Sequence, residues 1–334
     1  MHPVLQGFLR RRRSDGDRSV DANGRPPERC NGRPSIGLAL GGGAARAFAH
    51  IGVLQRLLAH GIKPDIIAGT SMGAVVGGCY AAGQLDKVAE WACSLTRRRI
   101  LTYLDLSLSG SGLISGGRLA RRLEATIGCT KIEDLEIRFA AIATEIHSGH
   151  EVWLTRGRLF EALRASYALP GMFAPVHIGG RWLVDGALVN PVPVSAARAL
   201  DARLVIAVST AADLFARGTT IHSHGSDEEI LPAEELGRGE LSEGGLLKRE
   251  LVGSTGRPGL TKVMFDAYNI MQDRITRARL AGDPADITIS PRLGNIGLFD
   301  FHRAEEAIAR GAEAAERALE TINLAATALA MPVR

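Results

Sequence analysis

The 334 residues suffice for one large α/β domain or two small ones, and 46% apolar with 23% charged residues is the balance of an ordinary globular chain. The formal charge of +4 is confined to the start: residues 1–34 hold eight Arg and four acids, and the other 300 balance at 32 basic and 32 acidic groups. That distribution excludes a basic groove on the folded body, so no nucleic-acid partner is expected.

Residues 1–34, rich in Arg, Gly, Pro, Asp and Asn without periodicity, read as a disordered basic arm. Its run Phe8-Leu9-Arg10-Arg11-Arg12-Arg13 suits anionic lipid at roughly 1 kcal/mol per Arg, and a solvated tail accounts for it more simply. Ile36–Leu40 is a short buried strand ending in glycines, and Phe48, Ile51, Leu54 and Leu58 repeat along one helical face. Residues 65–68 form a second strand, 72–82 a second helix, and 138–146, 181–184 and 204–208 further strands. The segment 213–259, with many Gly, Glu and Ser residues, reads as a flexible insertion. After it, Met264, Ala267, Met271, Ile275 and Ala278 mark one helix and Ile308, Ala312, Ala315, Leu319 and Ile322 another. Strands alternating with helices predict a mainly parallel sheet covered on both faces. The expected divisions are an arm (1–34), an α/β body (35–212), the insertion (213–259) and a helical part packing on the same body (260–334).

Cys30, Cys79, Cys93 and Cys129 make no CxxC pair, so neither a metal site nor a disulfide framework is expected, and a reducing compartment fits. No run approaches the ~18 apolar residues of a membrane span. The first residues place their charges after the apolar stretch, the reverse of a secretory signal. A cytoplasmic location is the expectation.

Two constellations carry chemistry. Gly41-Gly42-Gly43-Ala44-Ala45-Arg46 follows a strand and opens a helix, where free N–H groups and the helix dipole favour an anion, a phosphate or an oxyanion. A dinucleotide fingerprint is unsupported, because Arg46 and Ala47 stand where its last glycine belongs. Gly69-Thr70-Ser71-Met72-Gly73 is a GxSxG between a strand and a helix, the setting of a nucleophile elbow, and a serine in a glycine turn is its plainer reading. Only 28 residues separate Gly43 from Ser71. A right-handed crossover brings both loops to the carboxyl ends of neighbouring strands, where glycine-loop amides face an oxyanion.

The serine needs a base. Among the downstream histidines, His222 and His224 fall in the insertion and His302 begins the last helix. None of His147, His150, His177, His222, His224 and His302 occupies a glycine-flanked loop after a strand. Asp185, in Asp185-Gly186-Ala187 at the end of a strand, is better placed, although an Asp opening an Asp-Gly turn explains the same residues. An ordinary Asp is a weak base near 3.9, so such a pair leans on oxyanion donors and a dry pocket.

These three blocks resemble those of bacterial patatin-like phospholipases. Ala49-His50-Ile51-Gly52-Val53-Leu54, Ala168-Leu169-Pro170-Gly171-Met172-Phe173 and Ala187 to Val192 resemble the same family, and the stretch from Ile270-Met271-Gln272 to Gly282-Asp283-Pro284 is similar to members related to neuropathy target esterase. The resemblance implies a three-layer α/β/α fold, a Ser71–Asp185 dyad and hydrolysis of acyl esters of phospholipids or lysophospholipids, with neither metal nor organic cofactor. Its oxyanion hole would use Gly42 and Gly43 with Ala44, supported by Gly41, Arg46, Gly69, Gly73 and Gly186. That substrate class makes a peripheral contact with the inner membrane an expectation. The family's loop has Gly where this chain has Ala44 and Ala47, and a left-handed Ala44 would cost about 1 kcal/mol or more. A catalytically weak lipid-binding or regulatory protein and a triad esterase using His302 or His224 stand as alternatives. Arg46 is expected either to brace the loop or to face a head group, unless it merely lies on the surface. His50 is expected to pack, and Cys79 to be a small buried residue.

Overall fold

The computed structural model describes residues 33–103, 117–211, 253–254 and 257–330. The arm expected over 1–34 and the insertion over 213–259 fall almost wholly outside these residues.

One eight-stranded sheet organises the chain. Five strands run parallel, in the order Ile287–Ile289 (β10), Leu204–Val208 (β7), Ile36–Leu40 (β1), Ile66–Thr70 (β2) and Arg138–Glu145 (β3). Strands β1, β2 and β7 are buried at every residue, which is why they read as unbroken apolar runs and not as alternating ones. Glu151–Leu154 (β4) and Arg181–Asp185 (β6) both pair antiparallel with β3, and Val176–Ile178 (β5) flanks β6. Gly253–Ser254 (β8) and Arg257–Pro258 (β9) form a separate small pair.

The register around β3 decides the site. Its residues 141–144 pair with β4 and 143–145 with β6, so these overlapping ladders occupy opposite edges. The β2 ladder, along 138–142, overlaps that of β4 and therefore shares the edge of β6. On that edge β2 ends with Thr70 opposite Ile142, and β6 takes over with Asp185 opposite Ala143.

Alternation along the strands produces three layers. Leu38, Leu40, Ile67, Phe139, Leu204 and Ile206 enter a large core. That core holds helices Ala49–Ala59 (α1), Met72–Ala81 (α2) and Leu85–Cys93 (α3), with Arg97–Tyr103 (α4), Gly117–Ile127 (α5) and Leu159–Ser166 (α6) on its margin. Ala39, Ala68, Ala140 and Ala207 point the other way, and their small size lets Val194–Ala199 (α7) lie close. The expected α/β/α architecture with a mainly parallel sheet is the observed one. Helices Leu260–Gly282 (α8) and Ala304–Ala330 (α9) follow. α9 crosses α1 at backbone contact, Gly52 against the Ile308 carbonyl and Gly311 against the Ala49 carbonyl, where no Cβ fits.

Helix α8 reverses one expectation. The repeat containing Met264 and Met271 does mark a helix, yet these side chains are 57% and 52% exposed, while Gln272, Asp273 and Thr276 are buried. Gln272 lines a cavity together with Phe265 and Tyr268, while Asp273 pairs with Arg277 one turn on. Among the described residues no helix is long and apolar enough to cross a membrane.

Candidate active site

Ser71 follows the last residue of β2 and precedes the first of α2, so the chain reverses within one residue. Its backbone stands at φ 56° and ψ −128°. A side chain in this region is strained by roughly 1–3 kcal/mol and persists only where its surroundings hold it. The surroundings do so. Ser71 N–H donates to Ser166 Oγ at 2.9 Å, and the Ser166 hydroxyl donates to the Ile142 carbonyl at 2.6 Å. Thr70 Oγ1 donates to the Asn190 carbonyl at 2.8 Å. Gly73 lies directly against the carbonyls of Leu40 and Gly41, and Gly69 against the backbone of Ala74, so larger residues would push the elbow off the sheet.

The handover between β2 and β6 brings the carboxylate to the serine. Ser71 leaves the edge of β3 one position before Asp185 arrives on it, and Ser71 Oγ donates to Asp185 Oδ2 at 2.6 Å. Asp185 Oδ1 accepts from the Ala187 N–H at 2.8 Å, which fixes the rotamer and caps the 3₁₀ turn Gly186–Leu188. Gly186 packs against the Ile142 carbonyl, where a side chain has no room. Ser71 and Asp185 are 8% and 2% exposed. Burial raises the carboxyl from 3.8 to about 6, against the opposing pull of the hydrogen bonds from Ser71 and Ala187. An ordinary weak base thus acquires a pKa suited to taking a proton near neutrality.

Most backbone polar groups of the glycine loop are already taken, chiefly by neighbouring elements. Gly41 N–H donates to the Val208 carbonyl and Gly42 N–H to that of Pro191, both at 3.0 Å. The Gly41 carbonyl accepts from His50 Nε2 at 2.7 Å, that of Gly42 from Thr210 Oγ1, and that of Gly43 from Arg46 N–H at 3.0 Å. Gly42 is therefore corrected as an oxyanion donor, because its amide is already occupied. The amides of Gly43 and Ala44 have no acceptor among the described residues, and both residues line the cavity beside Ser71. Gly43 stands at φ 145° and Ala44 at φ 47°. Ala44 is in the left-handed region, so the substitution of Ala for the family's Gly carries strain but keeps the donor.

The cavity in front of Ser71 measures about 340 Å³ and is walled by Trp91, Leu95, Leu169, Phe173, Phe265 and Phe299 among others. Apolar walls of this kind suit an acyl chain. Arg46 is buried, not on the surface: its Nη2 donates to Asn269 Oδ1 on α8 at 2.9 Å, and burial lowers it to about 10, still charged at neutral pH. It braces the loop against α8.

His50 does more than pack, since it holds the Gly41 carbonyl; burial takes it down to about 4, so it is neutral. Cys79 is buried and pushed up to about 12, which makes it inert as a nucleophile. No histidine hydrogen-bonds Ser71 or Asp185 among the described residues. His302 instead accepts from Arg97 Nε at 3.3 Å, His177 packs against Trp182 with the ring planes tilted at 52°, and His222 and His224 lie outside the described residues. Ser166 and Thr210 carry no signal in the sequence, and Asn190 stands out only as part of the family-like stretch Ala187 to Val192. Each acts through a contact about 95 or more residues away in sequence, and none belongs to a glycine motif.

A family model described as patatin-like phospholipase matches residues 38–198. An uncharacterized NTE family protein of Mycobacterium tuberculosis, Rv1063c, is 36% identical over 345 residues, an alignment covering 89% of this chain and 94% of that protein. A second such protein from the same organism, Rv2565, is 33% identical across 90% of this chain, which spans 49% of its length. Lysophospholipase NTE1 of Scheffersomyces stipitis is 34% identical over 182 residues, 52% of this chain and 12% of that protein.

Proposed function

This chain belongs to the patatin-like phospholipase family, and we propose that it hydrolyses acyl esters of phospholipids or lysophospholipids with Ser71 as nucleophile and Asp185 as base. The observation that carries this reading is the 2.6 Å hydrogen bond from Ser71 Oγ to a buried, proton-hungry Asp185 at the wall of an apolar cavity.

Asp185 takes the Ser71 proton as Oγ bonds to the acyl carbon. The carbonyl oxygen becomes an oxyanion held by the amides of Gly43 and Ala44, with the first turn of α2 adding favourable potential. The tetrahedral intermediate collapses, the ester C–O bond breaks, and Asp185 returns its proton to the departing alcohol oxygen. Water then attacks the acyl-enzyme, again giving its proton to Asp185, which passes it to Ser71 Oγ as the fatty acid leaves. No metal or organic cofactor enters this scheme.

The lipid is met at a bilayer or micelle surface. Supporting this, Val263, Met264, Ile270 and Met271 are exposed at helical spacing on α8, the helix whose inner face lines the cavity through Phe265. Hydrolysis of a p-nitrophenyl ester and a lysophospholipid by wild type, Ser71→Ala and Asp185→Asn tests the dyad. Both variants are expected to fold and to lose turnover of both esters. Wild-type-like activity in Ser71→Ala would end the proposal.

A further inference from the structure

The cavity in front of Ser71 has a smaller neighbour. This second cavity measures about 30 Å³, against about 340 Å³ for the first. Its walls come from α2, α3, α5 and Tyr167 at the end of α6, and among the described residues α8 contributes none. Met72, Trp91, Leu119 and Tyr167 line both cavities. Each belongs to a different element, so together they form a collar, and only their side chains stand between the two spaces.

The collar has two fixed sides and two yielding ones. Trp91 stands edge-on to Phe48 with ring centroids 6.0 Å apart, and Tyr167 edge-on to Phe173 at 5.5 Å. Edge-to-face pairs of this kind hold their rings in place. Met72, by contrast, has three rotatable bonds and adapts to irregular gaps, and Leu119 is only half-buried. Beyond the collar, Val75, Cys79, Val88 and Leu123 are buried and apolar. Lys87 and Arg122 reach the same cavity from exposed positions, where their aliphatic stems serve as wall and their charges stay in water. Helix α2 gives the direction. Val75 lies one turn past Ser71 and Cys79 two, which puts Cys79 about 12 Å along the axis from the serine.

A small apolar cavity stays dry and gains contacts from an apolar guest. This one has room for about two or three water-sized groups, too little for a phosphate-bearing head group and enough for the last carbons of an alkyl chain. A chain that starts at the acyl carbon beside Ser71 and follows α2 arrives there end first. We propose that the acyl chain of the substrate passes the collar and places its terminal carbons in the second cavity, where Val75, Cys79, Val88 and Leu123 set the longest chain that is cleaved well. This inference rests on the reading of Ser71 as nucleophile and deepens it by naming the substrate class, esters of long-chain fatty acids. No bond forms or breaks in the second cavity, which acts through binding alone.

The test reads chain length with one leaving group. Hydrolysis of p-nitrophenyl butanoate and p-nitrophenyl hexadecanoate in the same mixed micelles gives a ratio of kcat/KM, long over short. Val75→Phe fills the second cavity from α2 and is expected to lower that ratio about tenfold or more, since each displaced methylene forfeits its burial. Leu123→Phe fills it from α5 and is expected to act alike, which serves if the first variant misfolds. Leu123→Ala enlarges the cavity and is expected to shift the optimum of a p-nitrophenyl ester series to longer chains. An unchanged ratio and optimum in folded variants, or equal losses at both lengths, would overturn the inference. So would a loss confined to lysophosphatidylcholine, which would assign the cavity to the head group. Ser71→Ala run alongside keeps two failures apart. If it retains activity, or wild type cleaves no ester, the dyad reading falls and takes this one with it; a fixed ratio in an enzyme that depends on Ser71 overturns this inference alone.

Discussion

Replacing Asp185 with Asn should abolish turnover and strengthen the fold, and the size of the second effect follows from burial. The folded carboxyl sits at about 6 against 3.8 for the exposed group. Because the folded value is raised, the folded state binds the proton more tightly, so the contribution is favourable below the unfolded pKa and is lost as pH rises through the folded one. With 1.36 kcal/mol per tenfold change, the loss amounts to about 3 kcal/mol at pH 7, of which roughly 2 kcal/mol accrues above about pH 4.5. Asn keeps the geometry: its carbonyl can accept from Ala187 N–H or from Ser71 and leaves no buried charge. Urea unfolding of wild type and Asp185→Asn across pH 4.5 to 8 measures the difference directly. The variant should gain on wild type as pH rises, and the gap should level off above about pH 7. In the same range kcat/KM of wild type should rise with an apparent pKa near 6, since only the ionised carboxylate accepts a proton. A variant equally or less stable at all pH values would mean that the carboxylate is not desolvated in the folded protein, and the argument for its basicity would fail with it.

Ser166→Ala leaves the Ser71 N–H and the Ile142 carbonyl buried without their bridge, a loss of about 1–3 kcal/mol; thermal unfolding should register it, and kcat should fall more than KM changes. Ala44→Gly relieves a left-handed alanine while keeping the amide, so stability should rise by up to about 1 kcal/mol with activity at or above wild type. Gly43→Ala, by contrast, places a methyl on Thr210 Oγ1 at a φ of 145° and should cost on the order of 10²-fold in kcat by displacing an oxyanion donor. Met264→Asp combined with Met271→Asp should weaken sedimentation with phosphatidylglycerol vesicles and hydrolysis of vesicle lipid, leaving a water-soluble nitrophenyl ester unaffected; equal vesicle binding by this variant would remove α8 from the lipid contact.

Much of this site was legible in the sequence because its parts are local. A glycine run after an apolar strand, and a serine between glycines where a strand becomes a helix, each constrain the backbone within six residues, and Gly41 to Arg46 and Gly69 to Gly73 fold as those constraints require. Which amides remain free was not legible. Gly42 looks as capable a donor as Gly43 until Pro191, some 150 residues away, is seen to occupy it. The buried Arg46 and the inward polar face of α8 were hidden for a related reason: hydrophobic periodicity reports what packs against apolar matter, and α8 covers a reactive cavity with Tyr268 and Gln272 while its methionines face outward.

The dyad's economy has its origin in the sheet. A triad needs a third loop to carry its histidine to the serine; here Asp185 and Ser71, the proposed base and nucleophile, are neighbours on one edge of β3, where β2 hands over to β6 between Ile142 and Ala143. Backbone pairing of that kind sets a separation with little tolerance, and the residues that could blur it are fixed by the same strand: Ser166 holds Ser71 to the Ile142 carbonyl, and Thr144 Oγ1 donates to the Asp185 carbonyl at 2.9 Å. Strain collects where this precision is needed. Two of the three non-glycine residues with positive φ among the described residues are Ala44 and Ser71, the proposed oxyanion donor and the proposed nucleophile. The ties that hold Ser71 and Asp185 in place matter more to the chemistry than to the fold, so Thr144→Val, which deletes one of these ties without adding volume, should leave the fold within about 1–3 kcal/mol of wild type while lowering kcat through Asp185 alone. A kcat loss no larger than that of a core substitution of equal stability cost, such as Ile67→Val, would show that strand pairing by itself suffices to hold the dyad.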